Sequence, residues 1–247
     1  MPKLYKVGGC VRDKLLGTPT KDIDFTFVLD NIHQSVDAGF LEMKTWMENE
    51  GFTIFLSVPE MYTIRAKFPK GHKFQGLDAD FVLARKEIGY EPDSRRPVLL
   101  LGELEDDLIR RDFTINAMAE DENGGITDLF GGQRDLKRKV LNSPQDPERM
   151  FLDDPLRVFR ALRFSVTKDM QISSSLEKAM KNPEIMEKMK KTVSMERVQS
   201  EVNRMMQFDS VKTLKMLSSY DIFTIPGLMD FIFSNGWWMK MTNEKKK

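Results

Sequence analysis

Residues 8–28 read GGCVRDKLLGTPTKDIDFTFV, and the fold turns on how the segment DIDFTFV is taken. Side chains two apart on a strand share a face, so a strand here sets Asp22 beside Asp24 and sends Ile23 and Phe25 the other way. Adjacent carboxylates repel and raise one another's pKa unless a cation neutralises them. Hard oxygen donors of this kind suit Mg2+, which binds through one or two carboxylates together with substrate phosphates. A bare D-x-D is equally the spacing of an ordinary surface pair on an edge strand.

The residues just upstream favour the chemical reading. Gly8 and Gly9 close an apolar strand and open a helix, where backbone N–H groups can approach an anion. Arg12, one turn further, offers a forked donor to a phosphate, the plainer alternative being a solvated arginine. A phosphate cradle followed by a metal-binding pair is the arrangement that nucleotidyl transfer requires. Cys10, the single cysteine, reads as a small filler, since only His33 and His72 exist to activate it.

Outward from this stretch, short apolar runs such as KLYKV, TIFLSV, YTIRAKF and DADFVLAR alternate with turn signals and predict a mixed sheet with packed helices. From about Glu103 a longer helical period begins in ELEDDLIRRDFTINAMAED, and ENGGITDLFGGQRDLKRKVLNSPQ reads as a hairpin and a short helix. Beyond Phe151 nearly every segment carries apolar residues at helical spacing. The predicted class is α+β: a mixed-sheet head over residues 1–147, then an all-α domain over 148–247.

The 247 residues are 40% hydrophobic, enough for a real core, and 38 basic residues balance 38 acidic ones. No global basic field announces nucleic acid, so any polyanion contact is local. The absence of a long apolar run and of a leader before Leu4, with the single cysteine, leads to the expectation of a cytoplasmic protein without membrane contact. The terminal NEKKK reads as a solvated tail or a contact to RNA phosphates.

The run G-G-x-V-R-D-x-L-L-G followed by D-x-D resembles the opening motif of the class II tRNA nucleotidyltransferases, the CCA-adding enzymes, and of the related bacterial poly(A) polymerases. The resemblance continues in order through DADFVLARKE, EDDLIRRDFTINAMAED, ITDLFGGQRDL, DDPLRVFRALRF and SMERVQSEV. It implies a nucleotidyltransferase-type head followed by a helical neck, with Asp22 and Asp24 as Mg2+ ligands. Asp80 would be a third acid, with Asp78 and Glu87 as rivals for that place. The resemblance further assigns Gly8, Gly9, Arg12 and Arg111 to the triphosphate, and Asp112 with Asn116 to the ribose hydroxyls. The DLFGGQRDL turn would be a mobile element.

In DDPLRVFRALRF, Asp154 and Arg157 are three apart and read as neighbours on one helix, with Arg160 and Arg163 continuing the row. An aspartate accepts from an exocyclic amino group and an arginine donates to base acceptors, so the pair can read a nucleotide edge without a template. The resemblance gives that role to Asp154 and Arg157, with Arg160 and Arg163 as further nucleotide ligands. Asp153 stands where the family usually has glutamate. Ser194 is a candidate N-cap, and Glu196 with Arg197 would brace the base-reading helix.

Together these residues predict template-independent addition of CTP- and ATP-derived nucleotides to the tRNA 3' end. Poly(A), A-only or C-only addition is the alternative within the class, and a non-catalytic RNA-binding module or a structural subunit the alternative outside it. Family members continue with body and tail domains, so the expectation is either a compact form that holds its RNA differently or a homo-oligomer or partner that supplies that surface. Phe231, Phe233, Trp237, Trp238 and Met239 are the apolar candidates for such an interface, a packed C-terminal helix being the simpler account.

Overall fold

A computed structural model describes residues 2–20, 22–90, 97–220 and 222–234. The chain divides into two compact units, residues 1–134 and 135–247. Trp237, Trp238, Met239 and the NEKKK tail lie outside the described residues.

The first unit runs β1 (Lys3–Val7), α1 (Gly9–Leu15), β2 (Asp24–Val28), α2 (Val36–Asn49), β3 (Thr53–Val58), β4 (Thr63–Lys67), β5 (Asp78–Leu83), β6 (Arg85–Tyr90), β7 (Pro97–Leu101), α3 (Leu104–Ile109), β8 (Ala119–Glu120) and β9 (Ile126–Thr127) into α4 (Gly132–Arg138). Its main sheet has seven strands in the order β3-β4-β5-β2-β1-β8-β9. β2 and β5 are parallel while the other neighbours are antiparallel, which is the expected mixed sheet. β6 and β7 form a separate hairpin.

β2 is buried on both faces, and its alternation separates two jobs. Ile23, Phe25 and Phe27 pack into the core with Phe40, Met43 and Met47 of α2 and with Ile64 and Phe81 of the neighbouring strands. Asp24 and Thr26 take the other face. Ser35 caps α2 by accepting from the Ala38 N–H at 3.2 Å.

The long helix predicted over residues 103–121 is not formed. α3 stops at Ile109, Phe113 is extended, and a 3-10 turn spans Thr114–Asn116 before β8 begins. Past the end of α3, Asp112 Oδ1 accepts from the Phe113 N–H at 2.8 Å, a side-chain bond that competes with resumption of the helix. The hairpin and short helix expected next are present as β8, β9 and α4.

The second unit runs from the end of α4 through β10 (Val140–Leu141), α5 (Pro147–Asp153), α6 (Arg157–Thr167), β11 (Gln171–Ile172), α7 (Ser174–Met180), α8 (Pro183–Thr192), α9 (Met195–Phe208) and α10 (Ser210–Ser219) to α11 (Leu228–Ser234). Residues 135–147, assigned to the head from sequence, fall in this unit because β10 pairs in parallel with β11. Ser173, Asn182 and Asp209 cap α7, α8 and α10 through their side chains. Ser194 occupies the N-cap position of α9, but its side chain makes no capping bond; its carbonyl accepts from the Arg197 and Val198 N–H groups. Phe159 and Leu162 of α6 and Val202 and Met205 of α9 are fully buried. Phe233 on α11 is exposed and Phe231 half-buried.

No helix among the described residues is long and apolar enough to cross a membrane.

Candidate nucleotidyl-transfer site

Asp24 is the first residue of β2, flanked in register by Val7 of β1 and Asp80 of β5. Asp22 stands two residues earlier, exposed and ahead of the strand rather than on it. Sheet pairing reaches only to Ile23, whose carbonyl accepts from the Asp80 N–H at 3.2 Å. The three acids are nonetheless neighbours. Burial pushes the Asp24 carboxyl up, and the Asp80 and Asp22 charges push it further, against the pull of Arg111. Arg111 and Arg65 offset the acids only in part, and Asp22 and Asp24 offer hard oxygens of the kind that suits a divalent cation.

Asp80 is held differently. Arg65 of β4 forks onto it, Nε to Oδ1 at 2.6 Å and Nη2 to Oδ2 at 2.5 Å. Among the described residues no group of three His, Cys, Asp or Glu side chains is assembled to hold a metal, and both Asp80 oxygens are taken by the Arg65 fork. Asp78 pairs with Lys67 at 3.5 Å on the outer end of β5. Glu87 lies on β6, and its side chain lies outside the described residues.

Gly8 precedes α1 with φ of +75°, a conformation that L side chains rarely adopt. A Cβ added there would lie 2.9 Å from Arg111 Nη1, so the turn and that guanidinium are adjacent. Gly9 is the first residue of α1, a helix of seven residues. Cys10 is buried and donates to the Val7 carbonyl at 3.2 Å, and burial pushes its thiol up, as suits a filler.

Arg12 is not a solvated arginine. It is 7% exposed, donates to both oxygens of Asp13 at 2.9 Å and from Nη1 to Asn116 Oδ1 at 2.6 Å. Asn116 in turn donates to Asp112 Oδ1 at 2.9 Å, and both residues are buried. Arg12, Asn116 and Asp112 therefore form one internal chain of hydrogen bonds tying α1 to the segment after α3.

Sequence reasoning passed over Asp107, which is fully buried on α3. Its Oδ2 accepts from Thr26 Oγ1 at 2.7 Å and from Arg111 Nη2 and Nε at 2.8 and 3.2 Å, and its Oδ1 accepts from Arg110. Burial alone would raise this carboxyl; the Arg111 and Arg110 cations and the Thr26 hydroxyl overcome that and hold it well below the usual carboxylate range. The stabilisation is complete above the unfolded-chain value of about 4 and is lost as pH falls toward the depressed folded value. The melting temperature is therefore expected to drop steeply on acidification below about pH 4, and Asp107→Asn to flatten that dependence in thermal melts across pH.

The glycine turn after β9, expected from the resemblance to be a mobile element, is tied in this structure by Asp128. Asp128 accepts from the Gly132 and Gln133 N–H groups at 2.7 and 2.9 Å. A Cβ on Gly132 would fall 2.2 Å from the Thr114 carbonyl oxygen. Gly132→Ala is expected to cost about 1–3 kcal/mol through this clash, read as a drop in melting temperature of about 2–4 °C per kcal/mol.

In the second unit the structure corrects the expected geometry of Asp154 and Arg157. Asp154 is not on the helix of Arg157: it is extended, between α5 and α6, because the following Pro155 disfavours helical geometry for the residue before it. Its Oδ1 accepts from the Leu156 N–H at 3.2 Å and its Oδ2 from Arg197 of α9 at 3.0 Å. Arg197 thus braces Asp154. Arg157 Nη1 donates to the Met150 carbonyl at 3.3 Å. Arg163 ion-pairs with buried Glu201 of α9, and Arg160 lies 3.9 Å from the same carboxylate. Glu201, also missed from sequence, holds the last two arginines of the row against α9. Asp153 ends α5 and is exposed.

With this geometry in view, the chain's relatives are informative. Residues 4–142, more than half of the chain, match the family described as Poly A polymerase head domain. The CCA-adding enzyme of Lactobacillus helveticus is 35% identical over 210 residues, covering 81% of this chain and 45% of that protein. The A-adding tRNA nucleotidyltransferase of Aquifex aeolicus is 38% identical over 184 residues, covering 72% of this chain and 20% of that protein. A solved tRNA nucleotidyltransferase complexed with a primer tRNA and an incoming ATP analog superposes with a TM-score of 0.66 at 31% identity, covering 91% of this chain and 59% of that one. The chain thus spans less than two thirds of each of these proteins. The mixed sheet, the acid cluster at the start of β2 and the match across residues 4–142 lead to one conclusion: the chain belongs to the poly(A) polymerase head domain family.

Proposed function

We propose that this chain adds CTP- and ATP-derived nucleotides to the 3' end of tRNA. The observation that carries the reading is the proximity of the Asp24 carboxylate, at the start of β2, to Asp22 just ahead of the strand and to Arg111, which lies beside the Gly8 turn. The RNA 3'-oxygen attacks the α-phosphorus, the bond to pyrophosphate breaks, and the hydroxyl proton is released. Mg2+ held by Asp22 and Asp24 would lower the pKa of the attacking hydroxyl and offset charge on the leaving pyrophosphate. Arg111 donates to the triphosphate beside Gly8. Arg12, Asn116 and Asp112 keep that wall rigid, and the resemblance extends Asp112 and Asn116 to the ribose. Asp154 and Arg157 supply the acceptor and donor that read the base edge. Arg160 and Arg163, tied to Glu201, support their helix.

A relative named as a CCA-adding enzyme and one named as an A-adding tRNA nucleotidyltransferase match at similar identity, so A-only addition is the second reading. Purified protein incubated with Mg2+ and tRNA ending either at the discriminator base or at CC, with each labelled nucleotide in turn, separates the two. CTP incorporation into the first substrate and ATP into the second supports CCA addition; ATP into the second alone supports A addition. No incorporation into either overturns the proposal.

A further inference from the structure

We infer that Asp107 is a positioning residue whose task is to aim Arg111 at the phosphates of the incoming nucleotide; this rests on the reading of Arg111 as a triphosphate ligand. Asp107 has no exposure, so it touches no substrate itself. It grips Arg111 by one edge: Nε and Nη2 both donate to Oδ2, at 3.2 and 2.8 Å. Nη1 takes part in neither bond and lies beside Gly8, where a Cβ would come within 2.9 Å of it. A planar guanidinium held along one edge has a fixed direction for its remaining donors.

The grip is referenced to the acid cluster through Thr26. The Thr26 hydroxyl donates to Asp107 Oδ2 at 2.7 Å and accepts from Arg111 Nη2 at 3.4 Å. Thr26 is two residues along β2 from Asp24 and on the same face. One strand therefore carries both the acid that faces the reacting centre and the hydroxyl that locates the arginine's anchor. Arg110 shares Asp107 through Oδ1, so the anchor keeps its charge compensated. Supporting a charged ligand by a buried, fully bonded neighbour is how a site holds its donors to the tolerance that catalysis needs.

The test is equilibrium binding of CTP and of inorganic tripolyphosphate, with steady-state kinetics on the same variants. Asp107→Asn keeps the shape and loses the charge; it is expected to weaken tripolyphosphate binding about 10- to 100-fold, raising the nucleotide KM more than it lowers kcat. In an Arg111→Gln background the same change is expected to weaken binding by less than about twofold. Independent, multiplying losses would show that Asp107 acts on general structure and would overturn the inference. Arg111→Lys keeps the charge but has one donor group to divide between Asp107 and the phosphate, so it is expected to bind as poorly as Arg111→Gln. Restoration of wild-type binding by lysine also overturns the inference, and this variant decides the matter if Asp107→Asn does not fold. Should the wild type itself bind neither CTP nor tripolyphosphate, the reading of Arg111 fails instead.

Discussion

Asp24→Asn is expected to reduce nucleotide transfer by several kcal/mol of barrier, on the order of a thousandfold, while making the metal-free protein more resistant to heat. Both effects come from one arrangement. Asp24 opens β2 between Val7 and Asp80, so an isosteric amide leaves sheet register and core untouched. The carboxylate there is held above its ordinary pKa by burial and by Asp80 and Asp22. A group whose folded pKa is raised favours folding in its protonated form and costs stability once ionised. The neutral amide removes that cost, so the gain in melting temperature should appear at neutral pH and vanish in acid below the usual carboxylate range. Calorimetry across pH, beside a transfer assay, reads both. A variant that stays active to within tenfold, or that melts lower at neutral pH, would contradict the assignment.

Asp154→Asn is expected to remove most of the preference for bases bearing an exocyclic amino group, raising the relative use of UTP about 10- to 100-fold. The argument is one of donors and acceptors. Cytosine and adenine present an amino donor on the edge to be read, uracil a carbonyl acceptor, and a carboxylate accepts only. Asp154 is oriented by the Leu156 N–H on one oxygen and Arg197 on the other, so its lone pairs are fixed in direction. Arg197→Ala should relax selection in the same sense but less, since the Leu156 bond remains. Tripolyphosphate binding should be unaffected in both variants, which separates lost base reading from lost phosphate binding. Unchanged discrimination among the four nucleotides in competition assays would remove Asp154 from that role.

What could be seen in the sequence follows the range of the interactions. The alternation in DIDFTFV announced β2, and Ile23 and Phe25 face the core as read, with Phe27 beside them. The strand starts at Asp24 rather than Asp22 because pairing to β5 begins there, a tertiary fact with no local signature. The break between α5 and α6 did have one, Pro155, but the helical period of LRVFRALRF ran past it and carried Asp154 onto the wrong element. Asp107 is four residues before Arg111, so their pairing was legible as a helix contact. Its burial was not, since that depends on Thr26, which is 81 residues away. Arg12 and Arg163 read as donors for phosphate and nucleotide, and their internal partners Asn116 and Glu201 were not legible because they are 104 and 38 residues distant. Residue types and their order therefore marked the candidate residues, while which of them are tied to other side chains emerged only from packing.

The most direct test of the central claim is to sequence the 3' ends of tRNA after incubation with the purified protein, Mg2+ and all four nucleoside triphosphates together. Untemplated but base-selective addition by the Asp22–Asp24 site should leave ends completed to CCA, or A placed once on ends that already carry CC. Tracts of repeated A, a random mixture of the four bases, or ends unchanged from the input would contradict it.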